Sequence, residues 1–344
     1  MKNKRILIVE VNWLGDVLFS TAAIRALKTM YPESFIACLV HKRCKEILMD
    51  NPNINEIITL DEDGRHRGLF GKMRLISCLS RKKFDTVYLF HRSFTRTLIC
   101  LLSGIRNRIG YVTSKRRLLL TESIISPAET MHRAGYYLYL IMRAVVNDKD
   151  MLRSDFFIND CDKDYIQDLL KKMEIAKNRK IVVMHPAGNW FPKRWPKEYF
   201  AQLADELVKK YDVNIVFSGA QRERPLIDDI LKLMHKKAAN LSGMMSLKQL
   251  GALFQESNLV ISADSGPLHI AVAMDSPTVG LFGPTSPEIT GPLTDRNIIT
   301  LQKDVGCVTP CYNHDCPDSR CMEKISVQDV LDSIEGKKWL EKKK

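Results

Sequence analysis

Short runs of branched and aromatic residues alternate with helix-length segments along this chain, and the alternation starts afresh halfway. In the first half RILIVEV (5–11) is followed by a helical pattern over Asp16–Met30, then SFIACLV (34–40), EIITL (56–60) and TVYLF (86–90). Strands spaced by about ten to twenty helical residues mean βαβ units and a parallel sheet. Met131–Val146 reads as an amphipathic helix, and the polar stretch NDKDMLRSD after it reads as a boundary. New strands then follow at KIVVMHP (180–186), NIVFSG (214–219), NLVISAD (258–264) and TVGLFG (278–283). The expectation is an α/β chain of two doubly wound, Rossmann-like parallel-sheet domains facing a central cleft, with ligands beyond the carboxyl ends of the strands. Its divisions are an N-terminal domain over 1–155, a linker over 156–178, a C-terminal domain over 179–325, and a last helix with a basic tail over 326–344.

The length of 344 residues suits two such domains. Apolar runs such as TLICLLSGI (97–105) fall short of the ~20 residues of a spanning helix. The start, MKNKRILIVEVNWLGD, passes from basic residues into a strand without the features of a secretory signal, so a cytoplasmic protein is expected. Nine cysteines, an odd number, do not form a disulfide framework. Charge is lopsided. Residues 1–150 hold 25 Lys and Arg against 14 Asp and Glu, and the remainder 27 against 26. A one-sided positive field concentrates anionic ligands, whether nucleic acid, an acidic membrane surface or a phosphorylated glycolipid.

Three strand-to-helix turns carry the chemistry. The first, Glu10-Val11-Asn12-Trp13-Leu14-Gly15-Asp16, offers only Gly15 where a dinucleotide fold would want G-x-G-x-x-G. That disfavours a dehydrogenase. Asp16 at the first helical turn is either a helix-start partner of the dipole or a general base. The second, Ser262-Ala263-Asp264-Ser265-Gly266-Pro267-Leu268-His269, opens a helix whose unpaired N–H groups suit a diphosphate, and His269 one turn in is either a phosphate contact or a packing histidine. The third, HPAGNWFPKRWP (185–196), has three prolines and a glycine to fix its backbone, and Lys193 or Arg194 brings a cation to the cleft mouth. Gly280–Thr285 adds a further Gly-Pro turn on the same edge.

Taken together, NWLGDVLFSTAAIRALKTMYP, HPAGNWFPKRWP and SADSGPLHIAVAMDSPTVGLFGPTSPEITGP resemble glycosyltransferase family nine, over nearly the whole chain. The NW-x-GD start, the Ser93–Leu98 segment followed by Gly104–Tyr111, and the KRWP loop look most like its lipopolysaccharide heptosyltransferase branch of the second type. The resemblance implies a GT-B fold and inverting transfer of heptose from ADP-heptose to the anionic inner core of lipopolysaccharide, at the cytoplasmic face of the inner membrane and with peripheral membrane contact. It implies that Asp16 is the catalytic base. Donor binding falls to His185, Asn189, Lys193, Glu223, Asp264, Ser265, Gly266 and His269, and acceptor binding to Asn12, Trp13, Gly15, Arg92 and Ser93. No cofactor is implied for catalysis.

Cys307, Cys311, Cys316 and Cys321 fall within fifteen residues. They point either to a structural zinc or iron–sulfur site or to reduced thiols in a tight loop; C-x3-C-x4-C-x4-C is not a standard ligand spacing. Two functional readings compete with heptose transfer: a same-family transferase with another nucleotide sugar or acceptor, and a non-catalytic nucleic-acid-binding protein. The latter leaves the donor motifs unexplained and lacks a recognisable binding module, so no nucleic-acid partner is expected.

Overall fold

The computed structural model describes residues 4–188, 190–293 and 297–341, and its chain divides into two compact units, Met1–Phe157 and Ile158–Lys344. In the first unit β1 (Arg5–Val9), β2 (Phe35–His41), β3 (Glu56–Leu60), β4 (Thr86–Leu89), β5 (Asn107–Tyr111) and β6 (Glu122–Ile124) make a six-stranded sheet among the described residues, in the order β3-β2-β1-β4-β5-β6. All pairings are parallel. Ile6 to Val9 are fully buried, which is why β1 reads as a continuous apolar run and not as an alternation: helices cover both faces of a parallel sheet.

Helices of eight residues or more are numbered here. The first unit holds α1 (Leu14–Met30), α2 (Gly68–Arg81), α3 (Phe94–Leu102) and α4 (Arg133–Met142). α1 starts two residues before Asp16, and α4 is shorter than the Met131–Val146 pattern, stopping where Arg143 takes a left-handed conformation with φ of 60°.

The second unit contains α5 (Asp160–Lys172), β7 (Ile181–His185), α6 (Lys197–Tyr211), β8 (Asn214–Phe217), α7 (Arg224–Leu233), β9 (Ala238–Asn240), α8 (Leu247–Glu256), β10 (Leu259–Ala263), α9 (Gly266–Ala273), β11 (Thr278–Phe282), β12 (Ile298–Gln302) and α10 (Val327–Lys337). Its sheet, also six parallel strands, runs β12-β11-β10-β7-β8-β9. The 156–178 stretch carries α5, begun by a capping box at Asn159 and burying Ile166 and Leu169. α10 contributes Val327, Val330, Leu331 and Ile334 to the same core as Phe200 and Phe217. Burying four such side chains stabilises the unit by ~1.5 to 3 kcal/mol each as an upper bound, so this helix is part of the domain core.

Numbered within its own unit, each sheet has the order 3-2-1-4-5-6 of the doubly wound dinucleotide-binding fold. The order reverses between the first and fourth strands, and ligands bind outside the carboxyl ends there. These switch points lie between β1 and β4 in one unit and between β7 and β10 in the other.

Candidate active site

At the switch point of the second unit, the loops after β7 and β10 meet. The β7 loop turns through a single 3-10 turn, Phe191–Lys193, held by Trp195, whose buried indole Nε1 donates to the Ile325 carbonyl at 2.8 Å. Lys193 Nζ thereby reaches Asp264 Oδ2 at 2.6 Å. Asp264 is 4 % exposed, and the hydroxyl of Thr285 donates to the same oxygen at 2.6 Å. His269 Nε2 stands 3.4 Å from Oδ1. Burial pushes the Asp264 carboxyl up, but the hydrogen bond from His269 and the Lys193 charge outweigh it and hold the group well below the usual carboxylate range. An anion so firmly paired is a poor proton acceptor, and its strength is to fix a cation.

Lys193 Nζ also donates to the Asp264 carbonyl at 3.4 Å, so one of its three N–H groups is left for a ligand. Beside it α9 begins at Ser265, which makes no side-chain cap, with Pro267 in the first turn. The uncapped N–H groups of Gly266 and Leu268 lie at the positive end of the helix dipole. A fixed ammonium next to an open helix start is an arrangement that holds phosphate oxygens.

His185 ends β7, with Nδ1 3.2 Å from Ser218 Oγ, and burial lowers its pKa. It is thus a neutral ring facing the same edge. Glu223 Oε2 accepts from the Ala220 N–H at 2.7 Å, so part of this carboxylate closes its own turn. Trp190 stacks on His314, ring centroids 4.1 Å apart. Asn189 lies outside the described residues.

The switch point of the first unit has a different character. α1 has Trp13 at its N-cap, without a side-chain cap, and Asp16 is the third helical residue. Tyr137, on α4, donates its hydroxyl to Asp16 Oδ1 at 2.9 Å. Burial first, and the Asp16 charge second, push the Tyr137 phenol well above its ordinary range, so it stays a donor. Asp16 is half-buried, with the Tyr137 hydroxyl among its partners. Before it, Glu10 is fully buried, accepts from Ser20 Oγ at 3.0 Å and leaves Oε1 without a hydrogen-bond partner. Burial pushes its carboxyl up to about 8, against the hydrogen bonds that lower it, and the Asp16 charge adds to the rise.

Arg96, 4 % exposed, ties this edge together: Nη1 donates to the Glu10 carbonyl at 3.0 Å, and Nη2 to Asn12 Oδ1 at 2.9 Å and Glu62 Oε2 at 2.6 Å. Asn12 and Gly15 thus share the edge with Asp16. Trp13 is exposed, with the Arg43 guanidinium 4.8 Å from its ring centre. Ser93 caps α3, and Arg92 donates to the Tyr136 hydroxyl at 2.8 Å and Ser126 Oγ at 2.6 Å. Sequence reasoning gave no role to Tyr137 or Arg96: Asp16 lies 121 residues from Tyr137, and Asn12 and Glu62 lie 84 and 34 residues from Arg96. It missed Glu10 as well, a buried carboxyl inside an apolar strand-end pattern.

The metal expectation needs correction. Cys307, Cys311, Cys316 and Cys321 line a cavity of about 460 Å³. Among the described residues no three His, Cys, Asp or Glu side chains are grouped to hold a metal ion. The thiols are free and line this one cavity. Cys316 Sγ donates to the Asp318 carbonyl at 3.1 Å, while Cys321 packs on the core. It sits against Gly283, where an added Cβ would lie 2.6 Å from Met322 Sδ and 3.1 Å from Cys321 Sγ.

With this geometry in hand, comparison with known proteins is informative. The profile of glycosyltransferase family 9 (heptosyltransferase) matches residues 72–320. Lipopolysaccharide heptosyltransferase 2 of Salmonella typhimurium is 26 % identical over 304 residues, covering 85 % of this chain and 86 % of that protein. Among solved structures, the glycosyl transferase family 9 protein of Veillonella parvula superposes with a TM-score of 0.88 at 23 % identity, covering 97 % of this chain and 96 % of that one. The E. coli ADP-heptose lps heptosyltransferase II gives 0.81 at 25 % identity, over 96 % and 98 %. The two parallel six-stranded sheets are the GT-B-like fold that the sequence resemblance implied.

Proposed function

The chain belongs to glycosyltransferase family 9 (heptosyltransferase), and on that premise we propose that it transfers heptose from ADP-heptose to the lipopolysaccharide inner core by one inverting displacement, with Asp16 as the general base. The observation that carries the reading is the Lys193–Asp264 pair at the open start of α9, flanked by Thr285 and His269. The named activities of the Salmonella and E. coli relatives support the choice of substrates.

In this mechanism the second unit binds the donor. Lys193, the α9 N–H groups and His269 face the diphosphate, while Asp264 positions the lysine and the histidine. Glu223 and His185 line the nucleoside side, with Ser265 and Gly266 at the sugar and phosphates; Asn189 is assigned to the donor by the family resemblance. The acceptor lies against the first unit at Asn12, Trp13, Gly15, Arg92 and Ser93. Asp16 takes the proton of the acceptor hydroxyl as its oxygen bonds to the anomeric carbon; the bond from that carbon to the diphosphate oxygen breaks on the opposite face, and ADP departs with the electron pair. Direct displacement needs one base and no covalent intermediate, unlike the paired carboxylates of retaining glycosidases. Charge growing on the leaving diphosphate is offset by the Lys193 ammonium and the helix start. No step calls for a metal or a redox cofactor. We place the reaction at the cytoplasmic face of the inner membrane, where a lipid-borne acceptor would be met by a peripheral enzyme; among the described residues no helix is long and apolar enough to cross a membrane.

The test is thermal-shift titration with ADP, UDP and GDP, because a ligand that binds the folded state raises the melting temperature by mass action. ADP is expected to give the largest shift. An equal or larger shift from UDP would assign the chain a different nucleotide sugar.

A further inference from the structure

The first unit carries a charge imbalance that extends well beyond its switch point. Residues 64–119 contain fourteen Lys and Arg against a single acidic residue, Asp85. The acids just before this stretch are partly neutralised, Asp61 by Lys42 at 2.9 Å and Glu62 by Arg96 at 2.6 Å. Within the stretch, α2 turns Gly71, Leu75 and Leu79 toward the core. Its opposite side presents Leu69 at 72 %, Phe70 at 86 % and Met73 at 56 % exposure.

Three large apolar side chains on the first two turns of one helix are unusual on a surface, and here they are bracketed by exposed Arg67, Lys72 and Arg74. The neighbouring α3 packs beside α2, with the Ser80 hydroxyl donating to the Ser103 carbonyl at 3.2 Å. It exposes Leu102 at 57 %, and the turn after β5 exposes Leu118 at 96 % between Lys115 and Leu119. Apolar and basic groups are therefore mixed over one side of this unit.

We propose that this side, centred on the first two turns of α2, docks the protein onto an anionic lipid bilayer surface, with Leu69, Phe70 and Met73 entering the headgroup boundary and the cations around them meeting lipid phosphates. Both halves of the surface point to that occupant. Lys and Arg gain from the negative potential of an anionic leaflet, and an amphipathic helix with large apolar residues beside cations lies in the interface plane. A nucleic acid would satisfy the cations but would leave Leu69, Met73, Leu102 and Leu118 in water, since single strands take up aromatic rings by stacking and not aliphatic chains. The location also suits the proposed reaction. α2 follows β3 through Glu62, which Arg96 connects to Asn12 on the Asp16 loop, so the docked turns adjoin the edge proposed to receive the acceptor. The docking itself stands whichever sugar is moved.

The experiment is cosedimentation of the whole protein with vesicles of phosphatidylethanolamine containing about one-third phosphatidylglycerol, and with neutral phosphatidylcholine vesicles, at low and moderate salt. Binding is expected to the anionic vesicles and to weaken as salt rises. Phe70→Ser with Leu69→Ser should weaken partitioning at least tenfold, and Lys72→Glu with Arg74→Glu should weaken it by a similar factor. These side chains are exposed, so each variant should keep the wild-type melting temperature and ADP shift, which separates failure of docking from failure of the fold or of the donor site. Equal binding to neutral and anionic vesicles, or no binding to either, overturns the proposal. So does partitioning that survives both apolar substitutions, and so does a salt-dependent gel shift with nucleic acid that the charge substitutions abolish while the apolar substitutions leave untouched.

Discussion

Two carboxylates occupy comparable places in the two units, each just beyond a central strand at its switch point, and they are surrounded differently. Asp264 is buried under a lysine, a threonine hydroxyl and a histidine. Asp16 is half-buried, with a tyrosine hydroxyl at 2.9 Å. The first environment stabilises the anion so strongly that it gives up basicity and becomes an anchor for cations. On the proposed mechanism the same fold, used twice, serves once to hold phosphate and once to receive a hydroxyl proton.

The sharpest way to break this contrast is Asp16→Asn, which keeps the size and much of the helix-start character while removing basicity. On the proposed mechanism it lowers kcat by ~100- to 10,000-fold, against ~0.5 to 2 kcal/mol of stability if the residue serves the helix alone. Steady-state transfer rates and a melting curve separate the two. Retention of more than about a tenth of kcat would remove Asp16 as the base.

Lys193→Ala probes the opposite site. Losing one charge-assisted phosphate contact, worth ~1.5 to 3 kcal/mol, should lower kcat/KM for the donor by ~10- to 100-fold. It should also leave Asp264 buried without its lysine partner, so the melting temperature falls even without ligand. Unchanged donor kinetics would mean that the lysine serves only as a structural ion pair.

A third carboxyl, Glu10, sharpens the comparison because burial is the largest influence on it. Glu10, with its pKa at about 8 against an ordinary 4.5, keeps its proton in the folded chain where the unfolded chain would ionise. The folded state then binds more protons than the unfolded state between those values, so this group makes stability fall as pH rises from 4.5 to about 8, and its effect is constant beyond. Glu10→Gln should remove that loss, raising stability by up to ~3 kcal/mol at neutral pH and by little near pH 4.5. Melting curves across this range check it. A gain that is the same at both ends would show that burial is not the cause.

The smallest effect is expected from Tyr137→Phe. One hydrogen bond to Asp16 is lost, worth ~0.5 to 1.5 kcal/mol, and kcat should change by less than about tenfold. A loss as large as that of Asp16→Asn would give the tyrosine a direct part in proton transfer.

The sequence made the central strands of both sheets legible, since β1, β4, β7 and β10 are buried on both faces and read as unbroken apolar runs. β5 (NRIGY), β6 (ESI), β9 (AAN) and β12 (IITLQ) were not predicted. They stand at or next to the sheet edges, where a strand needs fewer apolar residues and its pattern fades. The turns bearing Asp16, Lys193 and Asp264 were legible because Gly, Pro and polar residues after a strand are local signals. Lys193, Asp264 and His269 prove to be one another's partners, and the Gly280–Thr285 turn adds Thr285, but Tyr137 was not legible, since tertiary packing brings it to Asp16 from 121 residues away. Closeness of the four cysteines in sequence did not decide between a metal site and reduced thiols; they line one cavity, and among the described residues no group of three ligands is placed to hold a metal ion.

The division of labour between the two switch points is tested most directly by the ADP dissociation constants of Asp16→Asn and Lys193→Ala, measured by calorimetry beside the wild type. The account predicts that Asp16→Asn binds ADP within about twofold of wild type while transfer is lost, and that Lys193→Ala binds it at least ~10-fold more weakly. An Asp16→Asn protein that loses ADP affinity as severely as Lys193→Ala would contradict it, because the carboxylate of the first unit would then be holding the donor and not taking the proton.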